Sequence, residues 1–451
     1  MSLLVRAREW RGLWFHPGLT TASSDMLVLG GPAKLQDWGC RVGKPTSNIV
    51  RISTREASLK RRLRRHLASL GFRKTKDGSL EPPGTEKHVV RAIHNVQRTD
   101  GLEANRRFIV ERLPRLIKHF ASGEDVHAAR IKPVLQKISS GTWESNLFRL
   151  ASLTWSVPVS NGFGRRLRYL VWDDHNGKLI GLLAIGDPVF NLSVRDNLIN
   201  WNVEARGERL VNMMDAYVLG ALPPYNGLLG GKMVACLVRS RDIYDDFARA
   251  YGNATGIISQ QKKKSRLLAV TTSSSLGRSS VYNRLKLGGL SYFKSIGYTG
   301  GWGHFHIPDD LFTDLRNYLR AIGHTYADLH RFGEGPNWRL RTTRAAISAL
   351  GFKEDLLRHG IQREVFISEL ADNALQLLRT GKGRPDLSSL LSADDIACLA
   401  IDRWVLPRSY HRPEYRHWKA EDLAASLGHP TVDLPPDHRA QAETERTALK
   451  V

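Results

Sequence analysis

RRLRYLVWDDHNGKLIGLLAIG, residues 165–186, is the stretch whose reading decides the fold. Leu167 to Trp172 is an apolar and aromatic run, Asp173 to Gly177 holds an Asn-Gly pair, and Lys178 to Ile185 is a second apolar run. Two such runs joined through Asn-Gly predict a β-hairpin. Leu179 to Gly186 is the longest stretch of this kind in the chain and fits a buried strand.

On the C-terminal side the periodicity predicts a strand at Asn212–Leu219, a turn at Pro223-Pro224-Tyr225-Asn226-Gly227 and a helix from about Gly231 to Tyr251. A loop with Lys262, Lys263 and Lys264 follows, then a strand at Leu267–Thr272, a helix around Tyr282–Ser295 and a last strand at Trp302–Ile307. Strands alternating with helices predict a mixed α/β domain over 155–307. On the N-terminal side, Ser53 and Glu56 have the spacing of a capping box, and Leu59, Leu63, Leu67 and Leu70 form a helical stripe that ends at Gly71. Ile109, Leu113, Leu116, Ile117 and Phe120 make another stripe, interrupted by Pro114, and Thr142–Leu153 reads as a third helix. Residues 51–154 are therefore expected to form a basic helical domain.

Residues 1–50 show no usable period and are read as an arm. Pro308 with Asp309 and Asp310 opens a mainly helical region over 308–428, and the polar, proline-containing residues 429–451 are expected to be a disordered tail. The fold class is α+β, with the α/β domain flanked by two mainly helical regions.

Charge narrows the partners. The chain has 451 residues, with 67 Lys and Arg against 44 Asp and Glu, a formal net charge of +23. Such a balance attracts polyanions; the competing reading is an acidic protein partner. No apolar run approaches the roughly 18 residues of a spanning helix, so no membrane partner is expected. Cys40, Cys236 and Cys398 are odd in number and far apart, against a disulfide framework or a cysteine-rich zinc site. With no apolar segment of a leader peptide, the expected location is the reducing cytoplasm.

Three groups of residues carry candidate chemistry. Lys60, Arg61, Arg62, Arg64 and Arg65 lie opposite the leucine stripe and suit phosphate contacts, unless they are merely a solvated face. Arg278, Ser279, Tyr282 and Arg284 combine cations, a hydroxyl and an aromatic ring near an expected helix start; with the Lys262–Lys264 loop they suit phosphates and a stacked base, although Ser279 also suits a cap. Asp187, Asp196, Asp215, His304 and His306 are the residue types of a metal-dependent nuclease. Against that, Asp187 before Pro188 suits a turn, Asp196 after Arg195 an ion pair, and a His-x-His pair alone is a weak metal signature. Tyr282 is also a conceivable nucleophile for strand cleavage.

Trp155-Ser156-Val157-Pro158-Val159-Ser160, Gly164-Arg165-Arg166-Leu167-Arg168, Asn176-Gly177-Lys178-Leu179-Ile180-Gly181 and Gly186-Asp187-Pro188-Val189-Phe190 resemble the DruA family of Druantia antiphage systems. So do Arg195-Asp196, Met214-Asp215-Ala216-Tyr217-Val218-Leu219-Gly220-Ala221, Pro223-Pro224-Tyr225, Leu229-Gly230-Gly231-Lys232, Gly277-Arg278-Ser279-Ser280-Val281-Tyr282-Asn283-Arg284 and Gly301-Trp302-Gly303-His304-Phe305-His306. The resemblance covers most of 85–310 and returns at Arg403-Trp404, Leu406-Pro407-Arg408 and Arg412-Pro413-Glu414-Tyr415. It implies a component of a multi-gene antiviral system acting with DruB, DruC, DruD and the helicase-like DruE. It brings no catalytic residues and no cofactor.

The order of elements from 165 to 307 also resembles the layout of GNAT acyltransferases. That likeness implies a pyrophosphate cradle at the start of the central helix, here Gly227, Gly230, Gly231 and Lys232, and a tyrosine general acid, here Tyr292. The loop departs from the acyltransferase pattern, paired glycines before a helix often serve packing, and Tyr292 also suits a core position. The expected function is nucleic-acid engagement, with DNA or RNA as partner, inside the defence system. A nuclease, an acyltransferase-like enzyme and a non-catalytic assembly subunit are the alternatives.

Overall fold

The structure, a computed structural model, describes residues 47–76, 79–160, 162, 164–253, 264–328 and 338–428. Residues 1–46 of the arm, the tail over 429–451, and Lys262 and Lys263 lie outside the described residues. From Arg51 onward the chain forms one compact unit.

Its strands are β1 (Arg73–Lys74), β2 (Leu80–Glu81), β3 (Pro133–Lys137), β4 (Arg166–Asp173), β5 (Lys178–Gly186), β6 (Met213–Ala221), β7 (Ala269–Ser273), β8 (Lys286–Leu287), β9 (Leu290–Ser291), β10 (Lys294–Tyr298) and β11 (Glu364–Glu369). β1 with β2 and β8 with β9 are small hairpins, and the other seven form one sheet in the order β10-β11-β7-β6-β5-β4-β3. The hairpin that opened the reading is β4 and β5, antiparallel from Arg166 opposite Gly186 to Asp173 opposite Lys178. Every residue of β5 after Lys178 is buried, as its unbroken apolar run requires. β6 and β7 form a parallel pair within an otherwise antiparallel sheet. The sheet takes β3 from the residues before the expected α/β stretch and β11 from the residues after it.

Both faces of the sheet are covered. The helix Gly230–Leu237 buries Met233, Val234, Ala235, Cys236 and Leu237 in a core with Ile180, Leu183 and Met214. The helix Trp143–Leu153 sets Leu147 and Leu150 against Leu170 and Leu182 on the other face. In a third core Leu59, Leu63 and Leu67 of the helix Ser47–Ser69 meet Leu311, Leu315 and Leu319 of the helix Asp309–Ala321. The leucine stripe thus binds the first helix to the helix Asp309–Ala321, far along the chain, each buried leucine contributing about 2 kcal/mol.

Three expected elements are different. The helix expected over 231–251 is two, Gly230–Leu237 and Arg241–Tyr251, because Ser240 takes an extended conformation and caps the second through the Ile243 N–H. No helix forms at 282–295: Gly288 (φ 55°) and Gly289 (φ 80°) turn the chain between β8 and β9 instead. The strand expected at Trp302–Ile307 is absent. Trp302 makes only an isolated bridge to Arg358, a turn bond from the Ile307 N–H to the His304 carbonyl follows, and the remaining strand of the sheet is β11.

Between β5 and β6 the chain is organised by a buried ion pair. Arg195 has no exposed surface and donates twice to Asp196, with further bonds to the carbonyls of Val189 and Phe190. Arg206 donates to the other Asp196 oxygen at 2.7 Å and lies over the Phe190 ring. Removing one partner of such a pair strands the other charge, at about 3–5 kcal/mol. Asp196→Ala is therefore expected to lower the urea midpoint by that equivalent at unchanged slope; a loss below about 1 kcal/mol would show that the pair is not structural.

Candidate functional site

β6 and β7 pair only from Met213 to Asp215 and from Ala269 to Thr271. Beyond that point β6 runs on to Ala221 paired with β5 alone. Backbone groups left without a ladder need other partners. Two side chains supply them: Thr272 Oγ1 donates to the Ala216 carbonyl at 2.9 Å, and the Tyr282 hydroxyl to the Leu219 carbonyl at 3.4 Å. The parted strands open a cavity of about 890 Å³. Tyr217 and Leu219 of β6, Thr272 to Ser275 at the end of β7, the segment Trp155–Ser160 and the loops around Arg278 and Trp302 line it. Gly162 and Gly164, both at positive φ, let the chain after Ser160 approach closely, since a Cβ there would lie 2.5 Å from the Tyr217 ring and 2.0 Å from the Asp187 carboxylate.

Asp215 stands on the wall where the strands part, accepting a bond from Thr271 Oγ1 at 2.8 Å. Burial pushes its carboxyl up to about 6, against the Thr271 bond and the charge of Arg195. Three histidines, His94, His304 and His359, share the lining. Burial holds His94 down to about 4 and His359 to about 3, and in both the next cause is the charge of Arg363. His304 is held at about 4 by burial and by Arg339, and His306 behind it at about 3 by burial and the neighbouring histidines. Phe305 packs between them, its ring centroid 4.5 Å from His94 and 4.6 Å from His359. Arg363 reaches the same cavity; among the described residues no carboxylate pairs with it, and its enclosed Nε has no hydrogen-bond partner.

Asp187, Asp215, Arg278, Ser279, Tyr282 and His304 therefore share one cavity, although the sequence suggested them for different tasks. Their local roles differ. Asp187 accepts from the backbone N–H of Arg165 at 2.9 Å and from its Nε at 2.8 Å. Ser279 closes a turn, accepting from the Val281 and Tyr282 N–H groups, while Glu364 accepts the Ser279 N–H and an Asn283 amide. The Tyr282 ring packs against Phe293 and Phe366. Arg278 and Arg284 are exposed, the latter at φ 60° outside the cavity lining.

Asp196 is held by Arg195 and Arg206, and His306 is buried behind the lining. Among the described residues no three His, Cys, Asp or Glu side chains converge as metal ligands. In the glycine loop before the central helix Gly230 is buried, Gly231 is half-buried and Gly227 is exposed. A Cβ on Gly230 would come within 2.7 Å of the Tyr225 carbonyl, one on Gly227 within 3.4 Å of Tyr415 Cβ, and Gly231 lies against the Ala221 backbone. Lys232 points over the Trp404 ring, and Arg408 Nε donates to the Gly227 carbonyl. Tyr292 is fully buried beside Arg239 and lies outside the cavity lining.

Of the basic helix, Lys60 pairs with Glu56, and Arg62 with Asp310 and Asp314. Arg61, Arg64 and Arg65 are exposed, with no carboxylate partner among the described residues; Arg64 lies over the Phe352 ring. Lys264 is exposed at the edge of the described loop.

Sequence reasoning missed His94, Trp155, Tyr217, Trp302, His359 and Arg363 as lining. The run Thr271-Thr272-Ser273-Ser274-Ser275 at the end of an apolar strand was the available signal, since hydroxyls there mark where the strand leaves the core. For Arg363 there was no local signal. It reaches the cavity only because β11 inserts between β10 and β7.

Fold and cavity together define an α+β protein with a mixed sheet, parted at its parallel pair around a large polar cavity. The chain belongs to the family described as Druantia protein DruA, whose model matches residues 84–380. It is 64% identical over 393 residues to the Druantia protein DruA of Escherichia coli (strain UMEA 4076-1), covering 87% of this chain and 97% of that protein. No solved structure matches. Among the described residues no helix is long and apolar enough to cross a membrane.

The histidines make stability depend on pH. Their folded values of about 3–4 lie below the ordinary 6.5, so the unfolded chain takes up protons first, and the stability they hold in full above pH 6.5 is lost as pH falls toward 4. Asp215 acts oppositely, because a raised carboxyl favours the folded state between about pH 6 and 4. With His119, held down to about 4 by burial elsewhere in the fold, five groups against one predict that the urea midpoint falls between pH 7 and 5, and that Asp215→Asn steepens the fall. A flat profile would place the imidazoles in water.

Proposed function

We propose that the chain serves a Druantia-type antiphage defence system by engaging nucleic acid, DNA or RNA, through a basic surface, in the company of the other Druantia proteins. The observation that carries this reading is the row of exposed cations along and just after the first helix. Arg61, Arg64 and Arg65 are followed, past the turn at Gly71, by Arg73, Lys74 and Lys76, all exposed. A helix end turned by a left-handed glycine sets these six side chains close together in the chain, and Arg73 has Glu81 across the β1–β2 pair as its facing acid. The acids near this helix pair with other cations than these six, Glu56 with Lys60, Asp310 and Asp314 with Arg62 of the same helix, and Asp309 with Arg339. A net charge of +23 gives the same surface long-range attraction for phosphates. The family of the chain supports the defence role, and the exposed cations support phosphate contact. The absence of a spanning helix among the described residues fits a cytoplasmic component.

Replacing Arg61, Arg64 and Arg65 together by Glu should weaken duplex and single-strand binding by at least about tenfold. The logarithm of affinity should fall steeply between about 50 and 200 mM salt for the parent and less steeply for the triple variant. Binding that ignores both salt and charge reversal would remove the basic surface from the mechanism and leave a protein-docking role.

A further inference from the structure

The cavity contains an electrostatic imbalance that the basic surface does not explain. Arg363 is anchored by its own backbone, its N–H donating to Thr299 Oγ1 at 3.0 Å and its carbonyl accepting from the Thr299 N–H. Its guanidinium lies 5.4 Å from the Phe305 ring and has no carboxylate partner among the described residues. A half-buried cation without a counter-charge carries part of the cost of leaving water, and an anion in the cavity would relieve it. The neighbouring polar atoms point the same way: both ring nitrogens of His94, the Tyr217 hydroxyl and Arg363 Nε are enclosed without hydrogen-bond partners, and all three residues line this one cavity. Buried groups of this kind are otherwise nearly always satisfied. Arg278 and Lys87 stand exposed at the rim.

The same lining carries two tryptophans. Trp155 lies across Gly220 of β6, 3.3 Å from where a Cβ would stand, and Trp302 is 41% exposed. A cation together with flat aromatic faces recognises a phosphate joined to a planar base. The volume of about 890 Å³ lies within the roughly 300–1,000 Å³ of small-molecule sites. We propose that the cavity binds a nucleoside monophosphate group, free or at the end of a strand, with Arg363 as phosphate anchor and Trp155 and Trp302 as base platforms. Burial holds His94 and His359 neutral, so they offer hydrogen bonds without adding charge. The Asp215 carboxylate would accept from base amino groups. The site does not depend on the exposed arginines of the first helix, and the two readings fail separately.

The test is calorimetric titration of the whole protein with AMP, GMP, CMP and UMP, the four matching nucleosides, inorganic phosphate, and a short oligonucleotide with or without a terminal phosphate. At least one monophosphate should bind ten times more tightly than its nucleoside and than phosphate alone, with tryptophan fluorescence changing on binding. Arg363→Met should abolish that difference without lowering the melting temperature, because it removes an uncompensated charge; Arg278→Gln, at the exposed rim, should weaken binding threefold or more and serves if the first variant does not fold. The triple Arg61, Arg64 and Arg65 variant should bind the mononucleotide unchanged. Preference for the phosphorylated oligonucleotide over the mononucleotide would identify a strand end as the source, and the reverse a free nucleotide. No binding by any phosphorylated ligand, equal binding of nucleoside and nucleotide, or indifference to both Arg363→Met and Arg278→Gln would overturn the proposal.

Discussion

The structure turns on three residue pairs. Met213 to Asp215 of β6 and Ala269 to Thr271 of β7 are the only parallel ladder in the sheet, and they join two antiparallel halves. Parallel pairing needs a long crossover, supplied here by the helices Gly230–Leu237 and Arg241–Tyr251, whose apolar faces fill the core beneath. The ladder stops after three pairs, and the cavity lies where it stops. Threonine and tyrosine hydroxyls take over the carbonyls of β6 that β7 no longer meets. A sheet that continued its ladder here would have no cavity.

Around that opening the protein has concentrated groups that interiors usually avoid. Asp215, Tyr217, Tyr282, three histidines and Arg363 share the lining, and burial moves the ionisation of most of them. Sites of binding and catalysis are where such displaced groups cluster. The other candidate acids have been drawn into structure: Asp196 neutralises two arginines, and Asp187 fixes the start of β4 through Arg165. Among the described residues the lining thus keeps a carboxyl not paired with an arginine, Asp215, held by Thr271, and an arginine without a carboxylate partner, Arg363.

Legibility in the sequence followed the range of the interactions. The β4–β5 hairpin, the leucine helix closed at Gly71 and the strands β6 and β7 could be read because apolar period and turn chemistry are local. The helix expected at 282–295 failed although the signal was local too: the Gly288-Gly289 turn between β8 and β9 outweighed the apolar spacing around it. β11 was overlooked because nothing in Glu364–Glu369 says that it will insert between β10 and β7. The same holds for the site. Asp215, Asp187, Arg278, Tyr282 and His304 stood out as residue types, but their convergence depends on strand order, and Arg363 enters only with β11. The Gly230-Gly231 pair resembled a phosphate cradle in sequence; in the fold Gly230 packs closely on the Tyr225 carbonyl and the Ala221 side chain.

An experimental structure of the protein grown with a nucleoside monophosphate examines the opening and its content at once. The account predicts strands that pair through Asp215 and Thr271 and then diverge, with the phosphate of the ligand against the Arg363 guanidinium. Strands zipped together past Asp215, or an Arg363 side chain matched by a protein carboxylate with the ligand bound elsewhere, would contradict it.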